Sequence, residues 1–180
     1  MTVSIKFLAA FVLFPTGGTA QPKEPWVDLP KDQWPTIALT NHVLYKNGDR
    51  YLAPSFTYAG TGFLINTGTD TLAATAKHVL WIAKNKKVPT VQVNRDLQQW
   101  LMMPKGDSVN VAVIDSLINE DSTEILEGGG STILERDMIV FSVKSASPKL
   151  YPLKPRYTDV KPGEKLYILS CHYSSSTCQV

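Results

Sequence analysis

The chain has 180 residues, 43% of them apolar and 19% charged, with 18 Lys and Arg against 16 Asp and Glu. That composition describes a folded chain able to bury a core and excludes a disordered or fibrous one. The near-neutral balance leaves no basic face for nucleic acid, and the one short basic cluster, Lys84 to Lys87, reads as a solvated loop.

Residues 1–20 have the layout of a secretory signal peptide. Lys6 supplies early charge, Phe7 to Phe14 form an eight-residue apolar run, and the small residues Gly18 and Ala20 precede a cut before Gln21. The run is too short to cross a bilayer, so no stable membrane anchor is expected, and the product is expected to be secreted or periplasmic. The next segment carries Pro22, Pro25, Pro30 and Pro35 together with Trp26 and Trp34. Its prolines forbid a continuous helix or central strand, which leaves an extended leader with tryptophans free to pack on the body.

From His42 the pattern turns to short strands. "HVLY" is followed by Asn47-Gly48, a two-residue hairpin signal, and then "RYLAP". Gly60 to Leu80 reads as two short apolar strands joined by a polar turn, with a helical turn or two expected over 76–84. Further β-rich runs follow at 90–94, 99–103, 109–115, 138–143 and 165–171, separated by turn residues, as in an all-β sandwich or barrel. No internal repeat or long amphipathic helix is present, which excludes solenoids and βαβ folds. The acidic and then glycine-rich stretch from Leu117 to Asp137 is expected to be a solvated surface loop, since Asp121, Glu124 and Glu127 lack the spacing of a calcium loop.

Two cysteines, Cys171 and Cys178, stand seven positions apart. In an exported chain the first reading is a local disulfide. The competing reading is a metal site of Cys171, His172 and Cys178, which lacks the fourth ligand that structural zinc takes. No metal and no cofactor is expected.

One stretch carries chemistry. "GTGFLI", followed about ten residues on by "LAATAKHVL", resembles the trypsin-like serine peptidases of the chymotrypsin fold. In that family such a strand, turn and A-x-H segment deliver the general base, and His78 stands at the position of that base. "RDMIVFSV" resembles the family's second landmark, an aspartate opening an apolar strand, which here is Asp137, 59 residues after His78. "KPGEKLYILSC" resembles the opening strand of the second barrel, with Ser170 and Cys171 where the family usually has glycine. Lys77, where many relatives have a small residue, is a second departure. The order His then Asp fits the chymotrypsin class. The resemblance implies that His78 takes a proton and that Asp137 fixes its tautomer and stabilises the imidazolium.

The same resemblance calls for a serine framed by glycines in the second barrel. Gly106-Asp107-Ser108-Val109 lacks the following glycine and precedes Asp137, Ser131 follows three glycines without the right frame, and Ser174 to Ser176 have no glycine frame at all. The expected fold is therefore all-β, a chymotrypsin-like six-stranded first barrel with only the start of a second. Its expected parts are a signal peptide over 1–20, a Pro/Trp-rich leader over 21–41, the first barrel over 42–155, and a linker with one strand of an incomplete second barrel over 156–180. The expected partner is a peptide or protein substrate once a second barrel completes the site. Without the nucleophile these residues are expected to be inactive, and the alternative is a secreted, non-catalytic β-barrel binding module. Nothing in the sequence fixes an oligomeric state.

Overall fold

A computed structural model describes residues 25–48, 59–76, 79, 97–119, 138–168, 170–172 and 174–178. Six strands form over the short β-rich runs: β1 Leu39–Tyr45, β2 Ala59–Asn66, β3 Thr71–Thr75, β4 Leu97–Met103, β5 Ala112–Leu117 and β6 Ile139–Ala146. They make a closed barrel in the order β1-β2-β3-β6-β5-β4, every pair antiparallel. Each half of the chain contributes a three-stranded meander. The β1–β4 and β3–β6 ladders seal one meander to the other, and closure removes the open edges that would invite aggregation.

The interior is filled by Trp100 and Phe141, whose rings meet at 4.9 Å and 48°, with Leu39, Leu64, Leu97 and Met102 around them. Small residues on the neighbouring strands, Ala73 and Ala112, leave room for the two large rings. The β2–β3 connection is a compact polar turn. Thr67 N donates to Asp70 O, Asn66 Oδ1 accepts from Gly68 N, and Gly68 takes φ +96°, which a residue with a Cβ rarely adopts.

The all-β barrel expected from the sequence is present, with shifted element ends. β1 starts at Leu39, inside the expected leader, because Thr40 and Asn41 are fully buried and belong to the strand despite their polarity. β5 starts three residues later than the run from 109 suggests, because residues 107–110 form a side-chain-bonded turn. The leader is not extended throughout. Pro25–Asp28 and Lys31–Gln33 are single 3₁₀ turns, and Trp34 Nε1 caps this arrangement by donating to Leu29 O at 2.9 Å.

After the barrel the chain runs back along it. Tyr151 N donates to Thr36 O, and Leu153 both donates to Leu64 O and accepts from Asn66 N. Of the run expected as a strand over 165–171, residues 165–168 belong to no strand among the described residues, and Ser170 forms only an isolated bridge. The expected helical turn over 76–84 lies outside the described residues apart from Ala76 and Val79, as do the runs at 50–54 and 90–94, the basic cluster and most of the acidic loop. Among the described residues no helix is long and apolar enough to cross a membrane.

Candidate functional site

The two glycines of "GTG" have separate structural reasons. Pairing between β1 and β2 jumps from Thr40↔Thr61 to Asn41↔Ala59, so Gly60 is an extra residue in the ladder, a bulge at φ +57°. A Cβ there would lie 2.6 Å from Val79 Cγ2. Val79 fills that space, is 1% exposed, and donates its N–H to Ala76 O at 3.1 Å. The chain leaving β3 is thereby tucked back onto β2. Gly62 faces the interior, where a Cβ would meet Ala74 O and Met102 Sδ at 3.0 Å each, so its absence lets Met102 fill the barrel.

A buried polar network braces the same end of β3. Asn41 Nδ2 donates to Thr75 Oγ1 at 3.0 Å and to Gly60 O at 3.4 Å, while Asn41 Oδ1 accepts from Trp100 Nε1 at 3.0 Å. Thr75 Oγ1 in turn donates to Thr61 O at 2.8 Å. Each polar atom in the set has a partner, as a dry interior requires. Four strands, β1 to β4, are thus fixed to one another around the point where β3 ends.

Directly beside that point β6 begins. Thr75 pairs with Ile139 in the β3–β6 ladder. The start of β6 is held by Asn119, whose side-chain amide acts like one more peptide unit: Nδ2 donates to Met138 O at 3.0 Å, and Oδ1 accepts from Val140 N at 2.7 Å. Ile118 N adds a backbone bond to Val140 O at 2.8 Å. The structure therefore fixes the last residue of β3 and the first residues of β6 as neighbours.

His78 and Asp137 themselves lie outside the described residues. In sequence, His78 is three residues beyond Thr75 and directly before Val79, and Asp137 directly precedes Met138. Cys171 and Cys178 form a disulfide, which leaves neither sulfur as a thiolate for a metal. The loop they close is docked on the barrel: Cys171 N donates to Thr61 Oγ1 at 2.9 Å, and Lys105 Nζ donates to His172 O at 2.6 Å. The Cys171 sulfur sits 3.6 Å from Leu39 O as a packing contact, since a disulfide sulfur has no proton to donate. His172 Nδ1 and Ser174 Oγ are 2.8 Å apart within the exposed turn.

Gly106-Asp107-Ser108-Val109 is a structural turn. Asp107 Oδ1 accepts from Val109 N and Asn110 N at 2.9 and 3.1 Å, and Oδ2 accepts from Asn110 Nδ2 at 2.6 Å. The Asn110 side-chain amide, followed by the Asn110 and Val109 backbone amides, holds the Asp107 carboxyl below its ordinary range. Ser108 is exposed.

No protein-family model, curated protein or solved structure matches the chain. The structure brings forward four residues that the sequence reading passed over: Asn41, Thr61, Thr75 and Asn119. Only Asn41 carried a signal, as a polar amide next to the apolar run that proves to continue its strand.

Proposed function

We propose that these residues are the first-barrel part of an exported trypsin-like serine endopeptidase, with His78 as general base and Asp137 as the carboxylate that orients it. The observation that carries the reading is the pairing of Thr75 with Ile139. It joins the strand end that leads to His78 with the strand start that follows Asp137, so each motif lies next to one side of the same ladder. The closed six-stranded barrel, the Gly60 bulge that seats Val79, and the Cys171–Cys178 disulfide of an oxidising compartment support it further. The chemistry is peptide-bond hydrolysis: His78 would take the proton of a serine hydroxyl, and Asp137 would stabilise the resulting imidazolium. That serine and its oxyanion hole belong to a second barrel, and residues 1–180 alone are expected to turn over no peptide substrate.

The test needs no nucleophile. The chain has three histidines, so each can be followed by NMR as pH is varied. In the pairing proposed, Asp137→Asn lowers the titration midpoint of His78 by about one pH unit or more while leaving His42 and His172 where they were. An unchanged His78 midpoint would refute the pair. A second reading, a secreted non-catalytic binding module, is favoured by one observation: the barrel closes entirely within residues 39–146. It predicts a monodisperse, protease-resistant product in which the His78 midpoint ignores Asp137.

A further inference from the structure

The leader and the post-barrel segment are far apart in sequence and joined by rings. Trp26 packs edge-on against Trp34 at 4.9 Å and 67°, and against Tyr151 at 5.9 Å and 80°. Trp34 packs edge-on against Tyr167 at 5.0 Å and 76°. The two tryptophans therefore span the post-barrel segment, one touching its beginning and the other its far part. The beginning has independent anchors, because Tyr151 N bonds Thr36 O and Leu153 bonds β2.

Residues 165–168 have none of that kind, and the next anchor along the chain is Cys171, whose N–H donates to Thr61 Oγ1. Among the described residues no backbone hydrogen bond holds residues 165–168 to the barrel. Within this stretch Tyr167 is half-buried while Leu166 and Ile168 on either side are 63% and 83% exposed. Only the Tyr167 side faces the leader. Lys165 Nζ stands 5.0 Å over the same Tyr167 ring, so the ring is covered by an indole and approached by an ammonium group.

We propose that the leader is a strap that holds residues 165–168 against the body, with the Trp34–Tyr167 contact as its latch and the Trp26 contacts as its brace. The arrangement makes the conformation of a segment after the barrel depend on a segment before it. With the latch shut, Leu166 and Ile168 are presented outward in one fixed orientation. With it open, the stretch is released while the barrel, sealed by its own ladders, stays folded. This inference does not depend on His78 or Asp137.

Limited trypsin digestion of the full chain reads the latch, since the Tyr167 ring held against Trp34 restrains the backbone just beyond Lys165, and its release lets that stretch adapt to the protease at a rate that tracks the open population. Trp34→Ala is expected to raise the rate of cleavage after Lys165 about three- to tenfold, the factor that one aromatic pair supplies. Cleavage after Lys144, inside β6, is expected not to change, which separates release of the strap from unfolding. Tyr167→Ala should give a similar rise, and the double variant about the same, because the Trp34–Tyr167 contact is the one that both substitutions remove. An unchanged rate after Lys165 in Trp34→Ala, or a double variant whose effects multiply, would overturn the proposal. A nuclear Overhauser contact between the Trp34 and Tyr167 rings in the unmodified chain supports it independently of how any variant folds, and absence of that contact in the folded chain overturns it.

Discussion

Gly60→Ala tests the corner at its most demanding point. The substitution introduces two separate penalties. Holding a non-glycine residue at φ +57° costs about 1–2 kcal/mol. The new methyl also falls 2.6 Å from Val79 Cγ2, and Val79 cannot yield easily because it is β-branched and 1% exposed. Overpacking of that kind costs about 1–3 kcal/mol, so the total is about 2–5 kcal/mol. Equilibrium urea unfolding gives the sum, and Val79→Ala separates the parts. The clash disappears in Gly60→Ala/Val79→Ala while the backbone penalty stays, so the double variant should be more stable than the two single losses added together, by about 1–3 kcal/mol. Strict additivity would refute the contact between the bulge and Val79. Gly60→Asn is a further control: asparagine tolerates the left-handed region but carries a Cβ, so it should retain the clash.

Other measurements address the network and the loops. Asn41→Leu leaves Trp100 Nε1 without its acceptor in a fully buried position and should destabilise the barrel by about 1–3 kcal/mol in urea titration; adding Trp100→Phe, which removes the orphaned donor, should recover part of the loss. Glu164 is held below the ordinary carboxyl range first by the Arg156 guanidinium and then by the Lys161 backbone amide. Because its folded value is the lower one, the stabilisation is present above the ordinary carboxyl pKa of about 4.3 and is lost as pH falls through the folded value. Amide exchange at Lys161, corrected for intrinsic pH dependence, should therefore accelerate in that acid range and lose its acid step in Glu164→Gln.

The barrel was legible where local pattern determines it. The runs that became β4 and β6 are short and apolar-rich between turn residues, and the apolar stretches on either side of the Asn66–Asp70 turn became β2 and β3. Strand ends were misread wherever a polar side chain does structural work at long range. Thr40 precedes the run that reads as a strand from His42, but its hydroxyl donates to Met103 O, a partner 63 positions away. Since its single proton is committed there, its contact with His42 Nε2 at 2.9 Å must be one in which the imidazole donates. Asn41 likewise finds its partners on β2, β3 and β4, and no local spacing encodes that.

The corner itself shows why a motif can be read before its reason is known. "GTG" and "HV" are legible only as a resemblance, whereas the physical relation between them is a missing Cβ on one strand and a valine methyl 19 residues later. The same economy applies to the other side of the corner. Asn119 ties itself to β6 through a side-chain amide rather than a ladder of peptide bonds, so the start of β6 is fixed whatever course the intervening chain takes. A barrel built this way can carry a long connection between β5 and β6 without disturbing the neighbouring ends of β3 and β6, and those ends are the positions on which a His78–Asp137 pair would depend.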